Sequence, residues 1–255
     1  MDPVTPIRTI QLRRPPVLVE VAGRFVPERA TLEEVDARWA ELCAANPRYF
    51  DGSIVQVLGT SRHGHGGVQV HVQECSYRFY AVQNSFKDCP GLDCGVRPLG
   101  VKGIAVCGNR VLMGRRSSSV AFYPGMWEFV PGGGLEPGVS PEVQVVRELA
   151  EEARLVPLQP PIAVGLLFDP VASTWEVVHR IALSADVVPE IGWEYDAFQF
   201  VRLDALPEPL APVAAQMLAL AERALRSVRI TSRVRAQYGA TLDFHGFRCE
   251  GARES

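Results

Sequence analysis

The chain lacks both a long apolar run and a stripe of basic residues. Its 255 residues include 26 lysines and arginines against 29 aspartates and glutamates, for a formal net charge of −3. A membrane-spanning helix needs about 20 consecutive apolar residues, and proteins that bind nucleic acid usually cluster their cations. The sequence therefore argues against membrane and nucleic-acid partners, and we expect a cytoplasmic protein.

Cysteine is scarce and irregularly placed. The chain has 6 cysteines in 255 residues, too few for the disulfide framework of a small secreted domain. Cys89 and Cys94 are not at the two-residue spacing of common zinc sites, and no second pair accompanies them. We therefore expect reduced thiols and no structural zinc.

Hydrophobic residues make up 47% of the chain and charged residues 22%. This composition is typical of a globular protein with a full core, either one large domain or two small ones. Helices are predicted at 31–45, where Thr31 and Glu34 form a capping box, at 141–153 and at 211–227. Strands are predicted at 18–22, 53–58, 68–73, 101–107, 110–113, 162–168, 175–184 and 198–202.

The most informative stretch is 132–155, GGGLEPGVSPEVQVVRELAEEARL. Three consecutive glycines after Pro131 predict a loop that needs unusual dihedrals or a close backbone approach, and such loops suit phosphate. Ser140 followed by Pro141 is typical of a helix N-cap and first helical residue. Strong helix formers continue to about Ala153, so the stretch joins a glycine-rich turn to a short helix.

Three glutamates share one face of this predicted helix. Glu148, Glu151 and Glu152 stand at positions i, i+3 and i+4. Like charges at that spacing cost an isolated helix a few tenths of a kcal/mol per pair, which a bound cation would reverse. Carboxylates in this number suit Mg²⁺ or Mn²⁺. A solvated acidic surface is the alternative, but the glycine turn upstream favours a metal site.

The stretch resembles the Nudix box, G-x5-E-x7-R-E-U-x-E-E-x-G-U with U apolar. The matching positions are Gly133, Arg147, Glu148, Leu149, Glu151, Glu152 and Leu155. Val139 stands where the box has its first glutamate, and Arg154 stands where it has its late glycine. The first departure removes a carboxylate from the outer part of the predicted metal site, and the second requires Arg154 to adopt a left-handed helix end.

The resemblance implies a fold and a division of the chain. It implies an α/β/α sandwich with a mixed sheet across 98–228, within the broad α/β (α+β) class. Residues 1–97 would form a small α+β extension, and 229–255 a C-terminal tail. His179 lies in an apolar strand pattern, which is typical of a core histidine rather than of a catalyst.

The resemblance also implies site residues. Glu148, Glu151 and Glu152 would hold Mg²⁺ (or Mn²⁺), with the carbonyl of Gly133 as a further ligand, and Arg147 would brace the glutamates. The general base would be either a box glutamate or a loop carboxylate, for which Glu194 is preferred over Asp196 because it precedes the last strand. Further candidates, for phosphate contacts, are Lys102, Arg115 and Arg116, although solvated surface cations are the alternative.

The reaction implied is metal-dependent hydrolysis of a diphosphate linking a nucleoside to a second moiety. The stretches 38–57, 75–83 and 98–106 resemble the layout of animal Nudix proteins that hydrolyse UDP-glucose, which would give UMP and a sugar 1-phosphate. ADP-ribose or dinucleotide hydrolysis and a catalytically weakened sensor are the alternatives. Isopentenyl diphosphate isomerase, a fold relative, would need a cysteine and a glutamate that the sequence does not place. Oligomeric state stays open.

Overall fold

Two sheets and four helices make up the part of the chain that the computed structural model describes, residues 8–63, 67–84, 91–185 and 187–238. The strands are β1 (Arg8–Gln11), β2 (Val17–Glu20), β3 (Ser53–His63), β4 (Gly67–Ser76), β5 (Leu99–Cys107), β6 (Arg110–Arg116), β7 (Trp127–Phe129), β8 (Gly132–Gly134), β9 (Ile162–Asp169), β10 (Thr174–Ala182) and β11 (Tyr195–Val201). The helices are α1 (Leu32–Ala45), α2 (Tyr77–Gln83), α3 (Pro141–Ala153) and α4 (Pro212–Tyr238). Among these helices none is long and apolar enough to span a membrane.

The larger sheet is mixed and lies between two helices. Its order is β1-β9-β10-β5-β6-β11, with β7 paired to β6 and β8 to β5. The β10–β5 pair is parallel, and the other pairs are antiparallel. Val101 and Ala105 pack in one core with Leu149 of α3, whereas Ile104 packs in another with Met217 of α4. This arrangement confirms the predicted α/β/α fold class.

The N-terminal part supplies a second, three-stranded sheet of order β2-β4-β3. The predicted capping box of α1 is present, since Thr31 Oγ1 accepts from the Glu34 amide (3.2 Å) and Glu34 Oε2 accepts from the Thr31 amide (2.7 Å). Two elements of this part were not predicted. Helix α2 is held by the burial of Phe79 and Val82, and β1 pairs with β9 at the edge of the larger sheet.

The acidic helix begins and ends where the sequence predicts. Ser140 Oγ accepts from the Val143 amide at 3.3 Å, and Pro141 is the first helical residue. Arg154 adopts the left-handed conformation (φ 56°) and closes the helix with a bond from its amide to the Ala150 carbonyl. Arg154 therefore takes the left-handed position that a glycine would occupy in the box, at a cost of about 1 kcal/mol.

The prediction that the three glycines form a loop with unusual dihedrals is wrong. Gly132–Gly134 form the short strand β8, antiparallel to β5, and none of the three has a positive φ. The structure instead supports the close backbone approach that these glycines also allow.

Helix α4 is longer than predicted. Of the cysteines, Cys94 is a free buried thiol, and Cys89 lies outside the described residues.

Candidate active site

Strand β8 brings the acidic helix against the sheet. A Cβ atom at Gly133 would lie 2.2 Å from the carboxyl carbon of Glu148, and one at Gly132 would lie 2.7 Å from Lys102 Nζ. Real Cβ contacts are never this short, so a side chain at either position would displace the neighbouring charged group. The two glycines therefore let one carboxylate and one ammonium approach the backbone closely.

The three glutamates of α3 occupy different environments. Glu152 is buried and accepts from the Gly132 amide at 3.2 Å. Glu148 is half-buried and accepts from Gln144 Nε2 at 2.8 Å, while Glu151 is exposed. Arg147 forms its ion pair with Glu136 of the preceding loop (3.0 Å) rather than with a glutamate of its own helix. The predicted contact between Arg147 and the glutamates of α3 is therefore not among these ion pairs.

Burial and mutual repulsion act on these carboxyls together. Burial raises the pKa of Glu152 well above its usual range, and the charge of Glu194 raises it further. Burial also raises the pKa of Glu148, and the charge of Glu151 adds to this shift. Since each group is penalised by its neighbours' charge, a bound cation would relieve all of them.

The donor set fits a hard divalent cation in its chemistry. Within the described residues, no three histidine, cysteine, aspartate or glutamate side chains converge on one point. The reason is local, because Glu148 is bonded to Gln144 and Glu152 to the Gly132 amide. Carboxylate and carbonyl oxygens are nevertheless the ligands that Mg²⁺ and Mn²⁺ prefer. Val139 is half-buried in the loop before α3 and adds no oxygen.

A buried ionic cluster, which the sequence did not reveal, lies at the centre of the site. Glu128 of β7 is only 2% exposed and accepts from Lys102 Nζ (2.6 Å), Arg116 Nη1 (2.6 Å) and Tyr195 Oη (2.8 Å). Burial alone would raise the pKa of Glu128, but the adjacent Lys102 and Arg116 charges lower it to about 2. A glutamate inside the apolar run WEFV was the only signal of this cluster in the sequence.

The predicted phosphate contacts separate into two groups. Lys102 and Arg116 are brought together by Glu128, and the Glu152 carboxyl lies close enough to feel the charge of Lys102. Arg115 instead pairs with Asp196 on the exposed side of the sheet, at 2.6 Å. The structure thus places two cations beside the acidic helix and the third outside.

Glu194 joins the acidic group, whereas Asp196 does not. The Glu194 carbonyl accepts from the Ser117 amide (2.8 Å), which fixes this residue at the start of β11. Burial raises the pKa of its half-buried carboxyl, while the Arg116 charge lowers it. The sequence preference for Glu194 over Asp196 is consistent with this placement, since Asp196 is engaged by Arg115.

Two further buried acids, Glu176 and Asp169, continue the row of polar side chains that includes Glu152, Lys102 and Glu128. We call this row the polar strip. Glu176 accepts from Thr174 Oγ1 at 2.8 Å, and burial raises its pKa to about 8. Asp169 accepts from Tyr123 Oη at 2.7 Å. His179, by contrast, is fully buried beneath α3 with Nδ1 at 3.1 Å from the Val177 carbonyl, and burial lowers its pKa to about 4. The interpretation of His179 as a core residue is confirmed by its burial, and its Nε2 has no hydrogen-bond partner among the described residues.

Residues 96–221 match the family model described as NUDIX domain. The matched segment contains the acidic helix α3, strand β8 and the strands that carry Lys102, Glu128 and Arg116. No curated protein matches the chain. The departures at Val139 and Arg154 lie inside the matched segment, so they are variations within the family's own domain.

Several solved structures are similar to the chain over about half its length. A MutT NUDIX hydrolase from Burkholderia pseudomallei is 23% identical, with 48% of this chain and 96% of that one covered and a TM-score of 0.42. The NUDIX domain of Shewanella oneidensis NrtR, complexed with ADP ribose, is 23% identical (51% and 88% covered, TM-score 0.41). An ADP-ribose pyrophosphatase from Streptococcus suis is 24% identical (52% and 92% covered, TM-score 0.38). At these TM-scores, the assignment rests on the family model.

Proposed function

We propose that the domain hydrolyses the diphosphate linkage of a nucleotide sugar such as UDP-glucose, with Mg²⁺ or Mn²⁺, to a nucleoside monophosphate and a sugar 1-phosphate. One observation carries this proposal. The Lys102–Glu128–Arg116 cluster lies close to the buried Glu152 of α3, so fixed cations stand beside carboxylate oxygens. A diphosphate that bridges a metal ion and two cations matches that distribution of charge.

Lys102 and Arg116 would bind the phosphoryl oxygens. Both are held in place by the buried carboxylate of Glu128, and Tyr195 completes its hydrogen bonds. Cations held in one orientation before the substrate arrives need no reorganisation as charge develops on the phosphate. Glu128 would therefore act as a positioning residue, one that orients two substrate-binding side chains without touching the substrate.

Glu148, Glu151, Glu152 and the carbonyl of Gly133 would hold the metal ion. When bound, such an ion neutralises phosphoryl charge and lowers the pKa of a coordinated water. Glu194 would accept the proton of the attacking water, because its carboxyl is half-buried, has a raised pKa and lies near both Arg116 and the α3 glutamates. A glutamate of α3 is the alternative base.

The nucleotide sugar is favoured over other diphosphates by the N-terminal part. The stretch CSYRFYAVQ, on which that resemblance partly depends, covers the end of β4 and all of α2, and its Tyr80 stacks on Phe122 of the loop before β7. ADP-ribose or a dinucleotide is the second candidate substrate. A weakened sensor is favoured only by Val139. The cytoplasmic location expected from the sequence belongs to the same proposal.

A panel of nucleotide sugars, ADP-ribose and dinucleotides tests this function when the products are identified. We expect UDP-glucose to give UMP and glucose 1-phosphate in Mg²⁺, with turnover lost in excess EDTA and restored by added Mg²⁺. Binding of UDP-glucose without turnover would favour the sensor. Faster turnover of ADP-ribose would move the proposal to the second substrate class, and full activity in EDTA would contradict the metal-dependent mechanism.

A further inference from the structure

The Glu176 carboxyl is incompletely satisfied. Glu176 is 8% exposed, and its Oε1 accepts from Thr174, but its Oε2 has no hydrogen-bond partner among the described residues. Lys102 lies close enough to affect the Glu176 charge, yet its ammonium is bonded to Glu128. Buried carboxyl oxygens are rarely left unpaired, because the lost hydration is not replaced. Such an atom marks a place where a ligand can supply the donor.

The position of Glu176 relative to the phosphate-binding cations is set by strand register. Glu176 of β10 pairs with Gly100 of β5, and Lys102 is two residues further along β5 on the same face. Two residues of strand span about 7 Å. A Cβ atom at Gly100 would lie 2.4 Å from Glu176 Oε2, so this glycine leaves the room that the carboxyl occupies. Glu176 and Lys102 therefore lie on the same face of the sheet, displaced by about 7 Å along the strands.

An aromatic pair, Tyr80 and Phe122, lies near Glu176. The rings of Tyr80 and Phe122 have centroids 6.5 Å apart and planes inclined by 27°. Tyr80 Oη donates to the Ala172 carbonyl at 2.8 Å, which fixes α2 over the turn between β9 and β10. Burial raises the pKa of Tyr80, and the charge of Glu176 is the next cause, so the two side chains are near neighbours. Flat aromatic faces of this kind stack well on planar rings.

We propose that Glu176, Tyr80 and Phe122 form the subsite for the nucleoside of the substrate. The base stacks on the aromatic pair, and Glu176 Oε2 bonds a hydrogen-bond donor of the nucleoside, either a ring N–H of the base or a ribose hydroxyl. This inference rests on the proposed function for its ligand class, a nucleoside phosphate. It assigns the N-terminal helix α2 a direct part in substrate binding and makes the nucleoside end of the site distinct from the metal end.

The test is calorimetric binding of UMP, with glucose 1-phosphate as the second probe, to the full chain in Mg²⁺. Neither probe can be hydrolysed at a diphosphate, so binding is measured apart from turnover. Glu176→Leu should weaken UMP binding about tenfold or more, because the nucleoside donor loses its partner. The same change should leave glucose 1-phosphate binding within about twofold and should not lower the melting temperature, since it removes an unsatisfied buried acid.

The aromatic contact is tested with a pair of variants. Tyr80→Phe keeps the ring and should retain UMP affinity within about threefold, whereas Tyr80→Leu should lose about tenfold. Tyr49→Leu, which changes a tyrosine of the same N-terminal part that packs on Trp39, is the control and should bind UMP normally. Comparing UMP with dUMP and CMP distinguishes a ribose hydroxyl from a ring N–H as the donor.

The outcomes separate the subsite from the function. Wild-type affinity for UMP in both Glu176→Leu and Tyr80→Leu overturns the subsite, even when UDP-glucose turnover is robust. Failure of the wild type to bind any nucleoside monophosphate also overturns it. Loss of UMP binding in these variants, together with no turnover of nucleotide sugars by the wild type, supports the subsite and contradicts the proposed reaction.

Discussion

The two ends of the polar strip differ in how their residues come together. At the α3 end, the acidic groups stand within one helical turn of each other, and burial and the charge of neighbouring carboxylates raise the pKa of Glu148 and Glu152. At the centre, Glu128 gathers Lys102 and Arg116 from other strands into a compensated cluster. The comparison therefore separates carboxyls that repel one another from a carboxylate whose charge is balanced by two cations.

The largest effect on folding is expected where the compensated cluster is broken. Glu128→Gln removes the carboxylate that forms salt bridges with both Lys102 and Arg116 and leaves these two buried cations without that partner. Breaking a buried ion pair in this way costs about 3–5 kcal/mol. The measurement is the free energy of unfolding in urea.

The matched control for Glu128→Gln is Asp196→Asn, which breaks the exposed Arg115 pair of the same length. An exposed pair contributes at most about 1 kcal/mol. Equal losses of stability in the two variants would show that burial does not distinguish the central cluster from the surface pair.

His179 is a buried polar residue outside the polar strip, and it extends the comparison to a buried group with no charged partner in that strip. Its folded pKa of about 4 is below the unfolded value of 6.5. The unfolded chain therefore binds more protons between these pH values, and stability contributed by neutral His179 is present above pH 6.5 and lost as the pH falls towards 4. This amounts to about 3 kcal/mol at most. His179→Gln should flatten the dependence of unfolding free energy on pH in that window, and an unchanged slope would contradict the assignment.

Gln144 orients Glu148, one of the acids proposed to hold the metal ion. Its Nε2 holds Glu148 Oε1 at 2.8 Å. Gln144→Leu should weaken Mn²⁺ binding, measured by calorimetry, by about tenfold, because residues that orient a metal ligand contribute about 10–100-fold to affinity. Gln199→Leu, on the exposed side of β11, is the control. Equal Mn²⁺ affinity in the two variants would show that Gln144 only fills space.

The smallest effect is expected at the departure from the family pattern. Val139→Glu adds a carboxylate to the loop before α3 and should tighten Mn²⁺ binding a few-fold. Val143→Glu places the same charge on an exposed position of the first turn of α3 and serves as its control. If both changes shift the metal titration equally, the effect is general attraction and position 139 has no special place in the site.

The α3 end was predictable because its signals are local. Ser140, Pro141 and the spacing of the three glutamates lie within one short segment, and helical periodicity alone places them on one face. The misreading of Gly132–Gly134 as a loop has the opposite origin. Those glycines are a strand because β5, distant in the chain, pairs with them, and no local pattern reveals that pairing.

The central cluster and the nucleoside end were not predictable for the same reason. Glu128 meets partners from β5, β6 and β11, and Tyr80 reaches the site from an N-terminal helix of seven residues. Lys102 and Arg116 were proposed as phosphate contacts by residue type, but their common carboxylate was not. Contacts between distant segments depend on strand order, which the sequence pattern left open.

The central claim is that the buried acid of α3 serves catalysis rather than folding, and Glu152→Gln tests it most directly. The change keeps size and hydrogen bonding while removing a carboxylate that burial and Glu194 both disfavour. The measurements are a thermal melt in EDTA and the rate of diphosphate hydrolysis in Mg²⁺. We expect an equal or higher melting temperature and a rate lower by about a hundredfold or more. A variant that melts much lower and keeps most of its rate would contradict the catalytic role.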